Sequence, residues 1–179
     1  SEPCPPGQVF VDTSSNQRQQ GPVELLLFGW LPHRVEVSPD WHVNPLDPSR
    51  RLDSCLDWTD ALQALNGWDA KPFWELSRFG WVPQGALAAR NGDVLTLQQL
   101  NMWVVDWIQK NPPYRGINWS CGQEAAIRIM NLAMAQIILG NGPLPTPTLA
   151  WLMEASARRI RPTINYALGQ DNNHGSAEA

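Results

Sequence analysis

The densest chemistry in the chain lies at residues 171–179, DNNHGSAEA, where a histidine, two carboxamides and two carboxylates crowd together. If the segment is helical from about His174, then His174 and Glu178 stand at i and i+4 and share one face. Asn172 and Asn173 then sit at the helix entrance, where Asn is a favoured cap. Amide and imidazole donors beside uncommitted helix N–H groups suit an anion. A plain cap followed by an ordinary helix would use the same residues, so the motif alone leaves both readings open.

Other residues with chemical potential lie upstream. Glu75 and Arg78 are embedded among aromatics in KPFWELSRFGW, as a paired structural bridge or as cleft residues, because buried charge needs a partner. Glu124 and Arg128 stand at i and i+4 of a later helix. His33 and His42 are isolated histidines, expected to be structural. There are ten tryptophans in 179 residues. Indoles serve cores and cleft walls alike; most are expected in the core, and two or three are candidates for the wall of a saccharide cleft.

Composition narrows the classes. Hydrophobic residues make up 43% and charged residues 17%, as in an ordinary globular domain. A net charge of -4 with no basic stripe argues against nucleic acid. No apolar run of about 18 residues or more is present, so no membrane span is expected. Cys4, Cys55 and Cys121 lack metal-ligand spacing, and one bridge or three thiols are both compatible with them. One His beside one Glu is not a complete ligand set. No metal or cofactor is therefore expected, and the oligomeric state stays open.

The elements that must position these groups are mostly helical in pattern. Residues 1–21 form an irregular or mobile lead-in. The run 24–30 is apolar and undecided between strand and helix, and 31–57 is broken by prolines into an extended segment. Asp57 caps a helix ending near Gly67. Pro72 fits the first turn of the next helix, which Pro83 must kink or break. Asp93 caps a helix to about Lys110 with a stripe of Leu97, Leu100, Val104, Trp107 and Ile108. Ser120 and Gln123 match a capping box opening a helix that stops near Gly140. A further helix runs from about Thr148, with Arg158, Arg159 and Arg161 expected on a solvated face. No alternating strand pattern stands out.

Taken in order, Pro39–Pro45 (PDWHVNP), Phe73–Phe79 (FWELSRF), Trp107–Pro113 (WIQKNPP), Gly116–Trp119 (GINW), Glu124–Arg128 (EAAIR) and Asp171–Gly175 (DNNHG) resemble the heparinase II/III-like polysaccharide lyases. The resemblance covers 22–179. It implies an all-α fold, an incomplete (α/α) toroid of antiparallel helix pairs, truncated before the β-sandwich that comes next in that family. It also implies a periplasmic or secreted bacterial protein and an acidic polysaccharide, glycosaminoglycan-like or alginate-like, as partner.

The activity implied is β-elimination at a uronic acid. Asn173 and His174 match the family's catalytic Asn-His pair, and Glu178 is placed by its spacing to orient His174. Glu75, Arg78, Trp119, Glu124, Arg128 and Asn172 are candidate substrate contacts or supports of the cleft. The family's catalytic Tyr lies further downstream, and neither Tyr114 nor Tyr166 stands at the matching place, so this chain is expected to be inactive by itself. Two alternatives are a non-catalytic toroid that binds acidic glycans and a toroid glycoside hydrolase built on Glu75, Glu124 and Glu178.

Overall fold

Proline spacing decides where helix can begin. Pro22, Pro32, Pro39, Pro45 and Pro48 fall within the first third of the chain, and each removes a backbone donor. The structure is a computed structural model that describes residues 3–12, 21–140, 142 and 144–169. Strand β1 (Val23–Leu27) pairs antiparallel with β2 (Leu31–Val35), with Val23 opposite Val35 and Leu27 opposite Leu31. Phe28 and Gly29, both at positive φ, make the turn. In a two-stranded ribbon each strand is an edge, which is where Pro32 is tolerated. The short β3 (Val43–Asn44) pairs with β4 (Asp47–Arg51), and Asn44 closes their turn by accepting from the Leu46 amide.

These two small antiparallel sheets correct the all-α expectation, and the described helices do not show a toroid. The physical reason is local. Val23, Leu25 and Leu27 face inward while Glu24 and Leu26 face out, a period of two that an exposed leucine disguises in the sequence.

Among the described residues, helices begin at residue 58. Asp57 caps α1 (Trp58–Ala61) by accepting from the Thr59 amide, and a 3-10 turn at Gln63–Leu65 runs into Asn66 and Gly67, both at positive φ. Helix α2 (Lys71–Glu75) has Pro72 in its first turn, and α3 (Trp81–Arg90) begins after a break at 76–80. Pro83 sits in the first turn of α3, where its missing N–H costs nothing, so the break precedes the proline. Asp93 caps α4 (Val94–Lys110) through the Thr96 amide. The predicted stripe on α4 is inward, with Leu100, Val104, Trp107 and Ile108 buried. Helix α5 (Gly122–Leu139) stops at Gly140 in the left-handed region. Its cap is Cys121 without a side-chain bond, and Ser120 instead donates to the Ile117 carbonyl, so the capping box does not form. Helices α6 (Pro147–Ile160) and α7 (Ile164–Gly169) flank Pro162. Helix α3 packs on α4 and α5, and α5 on α6, around a core rich in tryptophan. No helix among the described residues is long and apolar enough to cross a membrane.

One further expectation is corrected. Arg158 is exposed and pairs with Glu154, but Arg159 is buried rather than solvated. Its guanidinium lies 3.6 Å from the Trp58 ring centroid and donates to the carbonyls of Trp119 and Ser120. The described part of the lead-in, 3–12, is irregular yet anchored, since Val9 and Phe10 are fully buried. Their amides donate to Asn101 Oδ1, and Asn101 Nδ2 donates to the Phe10 carbonyl. Replacing Asn101 with Leu strands these buried groups and should cost about 2–3 kcal/mol in denaturant unfolding. Hydrogen exchange should quicken at Val9 and Phe10; unchanged protection there would show that the anchor lies elsewhere.

Candidate functional site

Asn172, Asn173, His174 and Glu178 lie outside the described residues. The other candidates gather at one place. Arg78 bridges two carboxylates. Its Nε and Nη2 donate to Glu124 at 2.8 and 2.7 Å, and its Nη1 to Glu75 at 3.0 Å. Glu75 also accepts from the Phe28 amide at the tip of the β1–β2 hairpin. Burial pushes the Arg78 guanidinium down, but its bonds to Glu124 and the charges of Glu124 and Glu75 outweigh this and raise it. Glu75 and Arg78 are thus the paired bridge, with Glu124 as a third member on α5.

Arg128, one turn further along α5, is fully buried. Its charge is held by carbonyls and ring faces. Nε donates to Ser77 O and Nη2 to Asn118 O, while the guanidinium carbon lies 4.3 Å from the Trp107 ring centroid and 5.3 Å from that of Trp119. Burial lowers it to about 9, with Glu124 pulling the other way, so it stays charged at neutral pH. Trp119 is fully buried and cannot stack on a ligand in this structure. A 3-10 turn at Ile117–Trp119 folds its ring inward against Trp107 and Tyr114, and its indole N–H donates to Asn111 O. Arg128 and Trp119 are therefore supports and not contacts.

Two residues without chemical promise in the sequence help tie this arrangement together, Asn111 and Asn118. Asn118 Nδ2 donates both to Trp41 O and to Asn111 Oδ1. Trp74 donates to Ile117 O and Trp107 to Ser77 Oγ. One network thus joins stretches 41–42, 74–78, 107–111, 117–119 and 124–128. An Asn at a helix end followed by two prolines is the only sequence signal for Asn111, and it suggests nothing more than a stop.

On the outer side of this network opens a cleft of about 850 Å³. Asp40, His42, Arg51, Gln109, Lys110 and Arg115 are among its lining residues. Backbone geometry places Arg115. Gly116 is at φ 71°, and a Cβ there would lie 3.3 Å from Ser54 Cα, so glycine is required where the loop crosses 54–56. The crossing is held by Gly116 N to Leu56 O and Trp58 N to Tyr114 O. Arg51 pairs with Asp40, and Lys110 with Asp106. Arg115 donates to the Cys55 carbonyl and forms no ion pair among the described residues. His42 is 8% exposed, with Nε2 3.0 Å from the Lys110 carbonyl. A carbonyl only accepts, so Nε2 carries the proton and neutral His42 has a bare lone pair at Nδ1. Among the described residues Nδ1 has no partner. Burial is the main cause that lowers the His42 pKa below 6.5.

No group of three or more His, Cys, Asp or Glu among the described residues is placed to hold a metal, and no disulfide links the cysteines. No family model, curated protein or solved structure matches the chain.

Arg78→Ala leaves Glu124 and Glu75 uncompensated and should cost about 3–5 kcal/mol in denaturant unfolding. Arg78→Lys should recover only part of this, since an ammonium cannot reproduce the fork on Glu124. A loss below about 1 kcal/mol for Arg78→Ala would mean that the carboxylates find other partners. For His42 the folded pKa is the lower one, so below pH 6.5 the unfolded chain takes up the proton first. The melting temperature should fall as pH drops through that value and level off below the folded pKa. His42→Gln should flatten this segment of the profile. An unchanged slope would show that His42 is not its source.

Proposed function

We propose that the chain is the helical portion of a polysaccharide lyase that cleaves a uronic-acid-containing polysaccharide by β-elimination. One observation supports this reading. The stretches on which the resemblance rests, dispersed between residues 39 and 128, are joined by hydrogen bonds into a single network. Residues that match a family in several separate places are expected to act together, and these do so physically.

In this reaction the uronate carboxylate must be neutralised so that the C5 proton becomes acidic. A base removes that proton, the electron pair forms the C4–C5 double bond, and the C4–O bond breaks as the departing oxygen is protonated. In the proposed assignment Asn173 hydrogen-bonds the carboxylate and the developing enediolate, stabilising charge where it forms. His174 assists there or acts as base for one epimer, with Asn172 beside it and Glu178 orienting the imidazole. The Tyr expected as acid and base belongs downstream of residue 179. Glu75, Arg78, Trp119, Glu124 and Arg128 hold the frame.

A hydrolase would instead require two carboxylates about 5–9.5 Å apart across a sugar. Glu75 and Glu124 are both committed to one guanidinium, which disfavours that use. The test is ultraviolet absorbance of unsaturated uronate product on a panel of acidic polysaccharides, with this chain and a form extended past residue 179. Product from the extended form, reduced roughly a hundredfold or more in Asn173→Ala and His174→Ala, is expected. Binding without unsaturated product would establish a non-catalytic glycan binder, and saturated products would establish a hydrolase.

A further inference from the structure

We infer that the cleft between the 38–42 turn, β4, the end of α4 and the 112–115 loop is a binding subsite for a single acidic sugar unit. Arg115 takes the carboxylate, while Asp40 and His42 accept hydroxyl hydrogen bonds. This rests on the acidic-polysaccharide reading only for the polymer that carries the sugar.

Three observations point there. The first is charge. The chain as a whole is at -4, yet the cleft lining holds Arg51, Lys110 and Arg115 against Asp40. Flanking carboxylates absorb part of this. Asp106 pairs with Lys110, Asp40 with Arg51, and Asp53 accepts from the Cys55 amide. Asp57 lies near Arg115 but is occupied in capping α1. Arg115 is left as the lining cation with no ion pair among the described residues, on a planar fork that suits a carboxylate.

The second is His42. A buried polar atom without a partner is costly, and such atoms are normally satisfied. Its tautomer is fixed by the Lys110 carbonyl, so the unsatisfied nitrogen is an acceptor and calls for a donor. Sulfate offers none at neutral pH, whereas a sugar offers several hydroxyls. Nδ1 is covered in this structure, so a hydroxyl reaches it through a shift of neighbouring side chains. The Arg51–Asp40 pair, exposed on both sides, borders the same cleft.

The third is support. Gly116 fixes the loop that carries Arg115, and Lys110 and Asn111 end α4 within the buried network, so the groups are held on rigid elements.

The experiment is a titration of the full chain with trigalacturonate, with its methyl ester, and with inorganic sulfate, monitored by calorimetry and by the nitrogen resonances of His42. Trigalacturonate should bind and move the Nδ1 resonance. Esterification and Arg115→Gln should each weaken binding about ten- to a hundredfold, the span of a charge-assisted hydrogen bond. His42→Phe should weaken it about tenfold, measured at a temperature below that variant's own melting transition. Equal binding of the ester, equal binding of sulfate, or an unmoved Nδ1 resonance would overturn the inference, and none of the three needs a variant to fold. Binding with these properties but no unsaturated product from the extended chain would sink the lyase reading alone. Product formation at unchanged KM in Arg115→Gln and His42→Phe would sink the subsite alone.

Discussion

A guanidinium removed from water must find its hydration elsewhere, and Arg128 finds most of it in two backbone carbonyls and a set of ring faces, with Nη1 lacking a hydrogen-bond partner among the described residues. Transfer of an isolated charge into an apolar interior costs far more than a domain's whole stability. Around Arg128 the compensation comes from Ser77 O, Asn118 O and the faces of Trp107, Trp119 and Phe79. Each of these has to be in place for the others to be tolerable. Phe79 illustrates the constraint, since it is fully buried at φ 61°, a region that bulky side chains rarely occupy. Its ring meets those of Trp81 and Trp107 edge-on as well as Arg128, and this packing offsets the backbone strain.

The second buried arginine works on the same turn from the other side. The 3-10 turn at Ile117–Trp119 ends with carbonyls that no helix satisfies. Arg128 from α5 takes Asn118 O, and Arg159 from α6 takes Trp119 O and Ser120 O. Two helices are thus tied to one short loop by charge-assisted bonds, which are roughly twice as strong as neutral ones. Arg159 also covers the ring of Trp58, which brings the start of α1 to the same point. The turn is short, yet buried arginines from two helices hold its carbonyls.

The features legible in the sequence are those that local chemistry decides. Asp57 and Asp93 cap their helices, Pro72 occupies a first turn, Gly140 ends α5, and the apolar stripe of α4 faces the core. The Glu75–Arg78 bridge is likewise readable, because charges among aromatics require a partner. The features that escape are set by distant residues. Arg159 sits in an arginine-rich run that looks solvated, and only the fold brings Trp58 against it. Trp119 looks like a cleft wall because it ends a loop, and the turn that inverts it depends on Asn111 and Arg159. The β1–β2 ribbon is hidden because Leu26 masks the alternation.

The same dependence explains why a polar cleft forms beside a tryptophan core. The end of α4 serves both. Asn111 donates back to Trp107 O and accepts from Asn118, inside the network. One residue earlier, Lys110 O holds His42 and the Lys110 side chain borders the cleft. Arg128, Asn118 and Asn111 are joined by hydrogen bonds, and Asn111 is the chain neighbour of Lys110, whose carbonyl fixes the tautomer of His42. Burial around Arg128 and the chemistry available in the cleft thus meet at the end of α4, through hydrogen bonds on one side and adjacent backbone on the other. This is why supporting residues and contacting residues cannot be told apart here by residue type alone.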